Sequence, residues 1–427
     1  MKKHLLWYRN DLRIDDHMAL QAASTSEAEI LPLVILPPHA HFAFSGLPRT
    51  GLFRQRFQLE AISDLNNSWN QIGSSLLILQ GKPDELMPEL CRRMGITAVF
   101  ASKEIAPEEI QQEQLLQQAL AVHQIPLTLV QDGFLIHPND LFCSPANLPD
   151  VFTVYRKKVE QQFTVSSPVS PSSIVPILHT ESSLDLEQLL IETQVSSDPR
   201  SAFPFPGGQT AAQSRIQSYF WETNNIASYK ETRNGLIGQA YSSKLSPWLA
   251  QGAISARSVY HQVKQYEAQR GANDSTYWLV FELLWRDYFR MIMLKYGAKI
   301  FQKNGLGIYS NARNGSHSSE LFHAWIEGKT GEPFIDANMK ELQQTGFMSN
   351  RGRQNVASFL VHQLQLDWRL GAEYFESQLL DYDVSSNWGN WAYVAGVGTD
   401  PRERIFNSSK QALMYDPDQK FQNLWNE

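Results

Sequence analysis

Five strand-length apolar runs, separated by helical stretches, fill the first 135 residues and limit the fold more tightly than any other feature. They cover residues 4–8, 30–36, 75–79, 96–101 and 126–130, and each is β-branched or leucine-rich. Between them, residues 53–69 and 108–123 carry apolar side chains at helical spacing on a Gln- and Glu-rich background. Strand and helix in alternation imply an α/β domain, a doubly wound parallel sheet with helices on both faces. No GxGxxG follows the first run, so the dinucleotide fingerprint is missing where such a domain would carry it. The Gly-Lys-Thr at 328–330 is no phosphate loop, because His323 stands where the first glycine belongs and no strand leads in. His39 and His41 follow Pro37 and Pro38 with no third ligand nearby, which reads as a loop, and no metal site is expected.

At 427 residues the chain exceeds what one core usually supports, so a second domain is expected. From 163 to 208 the composition turns to Ser, Pro and Thr, as in SSPVSPSSIVP and FPFPGG, the signature of a partly extended linker. Beyond it the helical period dominates, over 210–223, 255–270, 275–296, 318–328, 336–346, 353–366 and 371–380. Nine of the eleven tryptophans lie past residue 220, so this half reads as an aromatic-rich helical bundle. The expected division is an α/β domain over 1–135, a linker over 136–208 and an all-α domain over 209–427.

Cys91 and Cys143 alone build neither a disulfide framework nor a cysteine metal site, which suits a reducing compartment. Arg9 and Asp11 interrupt the start before a signal-peptide core can form, and no apolar run approaches a membrane span; a cytoplasmic location is expected. A net charge of −7 argues against a protein that coats nucleic acid without specificity. It leaves room for a local basic patch among Arg286, Arg290, Lys295, Lys299, Arg351, Arg353, Arg402 and Arg404, although ion pairing is the plainer reading for most of these.

Residues 381–407 have a composition foreign to a core. Asp381 and Asp383 offer carboxylates, Asn387 and Asn390 amides, Trp388, Trp391 and Tyr393 rings, and Gly389, Gly396 and Gly398 a close backbone approach. Such a segment suits a site that grips a large aromatic cofactor by its edges; packing or a turn is the competing reading. Residues 346–360 have the same character, with Asn350, Arg351, Arg353, Gln354 and Asn355 ahead of an apolar run. In YSSKLSPW, Ser242, Ser243 and Ser246 precede Pro247, which fits a pyrophosphate site at a helix start or, equally, serines that cap that helix.

The ordered motifs WYRNDLRIDDHMAL, YKETRNGLIGQAYSSKLSPWLAQG, FELLWRDYFR, GFMSNRGRQNVASFL, DYDVSSNWGNWAYVAGVG and TDPRERIFN span nearly the whole chain. In these it resembles the photolyase and cryptochrome family, and its DASH cryptochrome branch in particular. The resemblance implies an N-terminal α/β antenna domain and a C-terminal helical domain that holds U-shaped FAD. By motif, Tyr229, Ser242, Ser243 and Ser246 would hold the phosphates. Glu282, Arg286, Asn350, Arg353, Asp381 and Asp383 would line the flavin and its ribose, and Asn387 would face flavin N5.

The implied activity is blue-light-driven splitting of cyclobutane pyrimidine dimers by an electron from excited reduced flavin. Glu282 would hydrogen-bond the dimer and Trp285 would stack beside it. Tyr393 stands where conventional photolyases have a second Trp, and Gln354 where they commonly have Met. A weaker grip on the flipped lesion would favour single-stranded DNA over duplex. RNA is a further candidate partner, and a monomer is expected.

Trp391 and Trp368 match the first two members of the family's electron relay. Gly315 stands where the third should be, which leaves Tyr309 as a candidate exit. DASH proteins commonly carry a methenyltetrahydrofolate antenna, for which Glu104 or Glu108 would serve, although acids at a helix start explain Glu108 and Glu109 as well. The alternative functions are a blue-light photoreceptor or DNA-binding regulator with little repair activity, and a nucleic-acid-binding protein whose flavin is structural.

Overall fold

A computed structural model describes residues 1–24, 28–38, 43, 45–162, 164–170, 174–179, 181, 183–196, 198–308, 315–400 and 404–427. His39, His41, Tyr309 and Arg402 lie outside the described residues.

Strand β1 (Lys3–Tyr8) forms the centre of a parallel sheet, with β2 (Glu29–Leu36) and β3 (Leu77–Gln80) to one side and β4 (Ala98–Lys103) and β5 (Leu127–Gln131) to the other, in the order β3-β2-β1-β4-β5. His4 sits opposite both Ile30 and Ala98. The crossovers are α1 (Met18–Ser24), α2 (Leu52–Ile72), α3 (Pro83–Met94) and α4 (Pro107–Ala121). A strand covered on both faces must be apolar throughout, and alternate side chains of β1 divide between two cores. Leu6 and Tyr8 pack with Leu20, Ile62 and Trp69 from α1 and α2, while Leu5 and Trp7 pack with Met87, Leu90 and Leu116 from α3 and α4. This is the doubly wound sheet that the alternating pattern implies. The pattern does not single out α1 or α3, because α1 is short and Pro88 interrupts α3.

The Ser/Pro/Thr-rich stretch carries ordered elements. Val175–Pro176 adds a sixth, two-residue strand, β6, which pairs parallel with Glu29–Ile30. Helices α5 (Phe152–Gln162) and α6 (Leu186–Glu192) flank it, and Leu186, Leu189 and Leu190 close over the core beneath α2.

The helical half runs through α7 (Gln209–Ile216), α8 (Tyr229–Thr232), α9 (Ser246–Ala250), α10 (Ala256–Arg270), α11 (Asp274–Tyr296) and α12 (Ser319–Ile326). It continues with α13 (Pro333–Thr345), α14 (Asn350–Ser358), α15 (Trp368–Gln378), α16 (Val384–Val394), α17 (Ser408–Tyr415) and α18 (Lys420–Asn426). The longest, α11, starts in a capping box in which Asn273 and Thr276 satisfy each other's backbone. Its basic residues turn inward: Arg286 donates to Gly133 O at 2.7 Å, Lys295 pairs with Asp150 at 2.6 Å, and Arg290 faces Asp383 at 3.6 Å. From the same helix, fully buried Asp287 accepts Leu135 N and Ile136 N, both at 2.9 Å.

A second network joins the halves. Arg13 bonds Asp132 at 2.6 Å, and Arg257 reaches Asp16 at 2.8 Å and Asp132 at 3.2 Å, all in near-complete burial. Paired charges of this kind are costly to break singly, about 3–5 kcal/mol, because the orphaned partner stays buried.

The stretch rich in Asn and Gly near residue 390 is a helix and not a turn. Asp383 caps α16 by accepting Ser386 N at 2.8 Å. Its glycine serves close packing, since a Cβ at Gly389 would lie 2.3 Å from the Phe289 ring. Likewise a Cβ at Gly371 of α15 would lie 2.2 Å from the Trp391 ring.

Candidate functional site

Ten residues that the sequence assigns to a cofactor line one cavity of ≈ 270 Å³ in the helical half: Tyr229, Ser242, Ser243, Ser246, Glu282, Arg286, Asn350, Arg353, Asp381 and Asp383. They come from the starts of α8, α9, α14 and α16, the segments just before them, and the middle of α11. Ser246 donates to Asp381 Oδ2 at 2.6 Å, and Arg353 faces Asp381 Oδ1 at 2.9 Å. The serines therefore do not cap α9: the cap position is Leu245, which makes no side-chain cap bond. Arg215 holds the serine loop from behind through Ser242 O, Ser243 O and Gln239 O.

Burial raises the pKa of Asp383, but Arg290 and Arg286 outweigh it and hold the carboxyl below its usual value. Burial, reinforced by Arg290, takes the Arg286 guanidinium down to about 10. Glu282 is pushed up by burial against the opposing charge of Arg233, with which it forms an ion pair.

The sequence pattern does not flag Arg233, Tyr241 and Lys244, which line the same cavity, or Glu341, whose charge acts on Lys244. Lys244 is 3 % exposed in a left-handed backbone conformation, φ 61°, and its ammonium lies 3.1 Å from the centre of the Tyr241 ring. Neither Lys244 Nζ nor the Tyr241 hydroxyl has a hydrogen-bond partner among the described residues. Burial drives Lys244 well below its ordinary pKa and Glu341 up to about 8. Unpartnered buried donors on a cavity wall are costly unless a ligand completes them. Hydroxyls, two guanidinium groups and this ammonium fit a pyrophosphate, and paired carboxylates fit a ribose.

Asn387 stands one turn beyond Asp383 on α16, and its Nδ2 donates to Ala372 O at 2.9 Å. Trp391, on the same face, packs against Phe375 at 5.1 Å and Trp325 at 6.2 Å. Trp368 donates to Lys303 O at 3.0 Å and meets Trp388 edge-on at 5.7 Å. Trp285 is stacked by Phe152 of α5 at 3.6 Å and met edge-on by Tyr393 at 6.1 Å. Arg404 bonds the Tyr393 hydroxyl and Asp400. Gln354 accepts from Arg351 at 2.8 Å, and Arg351 also reaches Asn234 at 3.0 Å. Gly315 has no space for any side chain: a Cβ there would lie 2.6 Å from Asp367 N.

A larger cavity, ≈ 640 Å³, opens at the carboxyl ends of β1 and β4, where the strand order reverses and open α/β sheets characteristically bind ligands. Arg9, Asn10, Glu104, Glu108 and Glu109 line it from the sheet, and Arg286, Arg290, Tyr382 and Asp383 from the helical half. Glu104 accepts from Asn10 at 3.0 Å and Glu108 from Arg49 at 2.9 Å. Glu109 Oε2 is buried without a partner among the described residues, and burial with nearby Glu104 pushes its carboxyl up to about 7. No helix among the described residues is long and apolar enough to cross a membrane.

Comparison with known proteins agrees with this arrangement. Residues 4–173 match the family described as DNA photolyase, and residues 278–426 the FAD binding domain of DNA photolyase. The Cryptochrome DASH of Gloeobacter violaceus is 46 % identical over 430 residues, which cover 99 % of this chain and 85 % of that one. Among solved structures, the Synechocystis cryptochrome superposes with a TM-score of 0.95 at 41 % identity, covering 100 % of this chain and 88 % of that one. A bacterial class III photolyase from Agrobacterium tumefaciens gives 0.85 at 26 % identity, covering 100 % and 86 %. A sheet domain and a helical domain with the FAD-binding module thus place the chain in the photolyase/cryptochrome family, within its DASH cryptochrome branch.

Proposed function

We propose that the protein is a blue-light-driven lyase that splits cyclobutane pyrimidine dimers, preferentially in single-stranded DNA, with FAD in the 270 Å³ cavity. The observation that carries this reading is the unpartnered, buried Lys244 and Tyr241 beside Arg353, Asp381 and the serine loop, a donor set complementary to the FAD pyrophosphate and ribose. FAD, when bound and reduced, supplies the photoexcited electron that opens the dimer.

The protein's part is to hold and orient. The hydroxyls of Ser242, Ser243 and Ser246 and the amine of Lys244 donate to phosphate oxygens, Arg353 offsets their charge, Asp381 and Asp383 fix hydroxyls, and Asn387 presents an amide that both donates and accepts. Glu282, kept from ordinary acidity by burial, is suited to share a proton with a pyrimidine carbonyl. A lesion must leave the helix to reach this depth, which costs a few kcal/mol in duplex and least in a single strand. Phe152 holds Trp285 from one face, so a single ring face is left to repay that cost, and each base stack contributes about 1–3 kcal/mol.

The second cavity suits a folate antenna such as methenyltetrahydrofolate, with Glu109 the carboxyl best placed to accept from its ring, since Glu104 and Glu108 are already engaged.

One observation favours the photoreceptor reading: Glu282 is paired with Arg233 and Trp285 with Phe152, so both lesion-facing groups have partners within the protein. The test is repair by photoreduced protein under blue light of one thymine dimer in a single-stranded oligonucleotide and in duplex. Repair of the single strand alone is expected. Repair of neither, with FAD bound and photoreducible, overturns the lyase reading in favour of the receptor.

A further inference from the structure

The electron that reduces a photoexcited flavin must come from the protein, and a series of aromatic residues runs from Trp391 on α16 towards Tyr382 at the interdomain cavity. Trp391 packs onto Gly371, one turn along α15 from Trp368. The rings of Trp368 and Trp388 are 5.7 Å apart at 78°, and Phe301 closes over Trp388 at 4.8 Å. The Tyr382 hydroxyl faces both the Trp388 indole and the Glu376 carboxylate. Tyr382 borders the ≈ 640 Å³ cavity, with the Arg54 guanidinium 4.6 Å from its ring centre. Among the described residues no ring stands at Gly315, where a Cβ would meet the Asp367 backbone.

We propose that Tyr382 is the terminal electron donor of this protein, feeding Trp391 through Trp388 and Trp368 and passing its hydroxyl proton to Glu376. The proposal rests on the reading that FAD occupies the smaller cavity and that its flavin reaches Asn387 and Trp391. One electron goes from Trp391 to the photoexcited flavin, and the vacancy it leaves moves to Trp368, Trp388 and Tyr382 in turn. At Tyr382 the O–H bond breaks as the electron leaves, giving a neutral tyrosyl radical and a protonated Glu376. A positive charge on the ring beneath Arg54 is electrostatically unfavourable, so proton and electron leave together. Burial raises the basicity of Glu376 against the pull of Arg54 and Arg49, which suits it to take that proton. A thiolate reductant entering the cavity returns the electron, leaving a thiyl radical, and Glu376 returns the proton.

Time-resolved EPR and transient absorption on the flavin-loaded full chain after a blue flash test this. Wild type should end on a tyrosyl radical. Tyr382→Phe should stay folded and keep its flavin content, stop at a tryptophanyl radical, and recombine about tenfold faster, a barrier change of about 1.4 kcal/mol. Trp388→Phe should lose the tyrosyl signal, Glu376→Gln should slow its formation, and Tyr309→Phe should leave it unchanged. A full tyrosyl signal in Tyr382→Phe, or a wild type that stops at tryptophan, overturns the proposal. No light-induced radical at all in flavin-loaded wild type overturns the photochemical reading beneath it as well.

Discussion

Phe152 lies flat against Trp285, with 3.6 Å between ring centroids and 15° between planes. The connecting stretch between the halves thereby supplies a wall of the proposed lesion site, because α5 brings Phe152 onto α11. Replacing Phe152 by Leu keeps an apolar side chain but removes the stack and some volume, so stability should fall by about 1–2 kcal/mol. Flavin content should be unchanged, while affinity for a dimer-containing single strand falls several-fold as Trp285 loses its orientation. Fluorescence anisotropy would read this, and unchanged affinity would mean that Phe289 and Tyr393 suffice to hold the ring.

Asp381 gathers Ser246 and Arg353 on one side of the smaller cavity. Asp381→Asn keeps the shape and removes the charge, leaving Arg353 without its counterion in a largely buried site. A loss of about 2–4 kcal/mol in FAD affinity is expected. Flavin retained on gel filtration and titration of the apoprotein would measure it; affinity within twofold of wild type would place FAD elsewhere.

Glu109 predicts a pH dependence. Its carboxyl pKa rises from 4.5 to about 7 on folding, through burial first and then Glu104, with Glu108 adding and Arg9 opposing. An acid whose folded pKa is raised gives its full stabilisation below the unfolded value and loses it as pH climbs through the folded one. Glu109→Gln should therefore be more stable than wild type at pH 8, by about 1–2 kcal/mol after allowance for partial exposure, with the difference vanishing below about pH 4.5. Melting curves across that range would show it, and a constant offset would contradict it.

Gly371→Ala sets two effects against each other. Helix propensity favours alanine by about 1 kcal/mol, but the added methyl would sit 2.2 Å from the Trp391 ring, and overpacking costs about 1–3 kcal/mol. Net destabilisation with slower flavin photoreduction is expected in calorimetry and flash spectroscopy, whereas a gain in melting temperature would show that α15 and α16 can separate freely.

The parallel sheet was legible because strands covered on both faces must be apolar, and β1, β2 and β4 are. The cavity carboxylates and serines were legible because polar residues crowd where aliphatic filler is absent. Helix α16 was less so: Asp383 is a cap, yet Asn-Gly-Trp chemistry reads locally as a turn until Phe289 is seen to need a glycine opposite it. Lys244 and Glu341 escape a sequence reading because only burial distinguishes them from surface charges. The inward turn of Arg286, Arg290 and Lys295 depends on partners more than 90 residues away, at Gly133, Asp383 and Asp150, which no local pattern reports.

The most direct measurement is the excited-state lifetime of the bound, reduced flavin with a single-stranded oligonucleotide, once undamaged and once carrying one thymine dimer. If the cavity donates an electron to the lesion, the dimer should shorten the lifetime and both thymines should be recovered intact after the flash. Identical lifetimes with the damaged and undamaged strands, both demonstrably bound, would contradict the proposed activity.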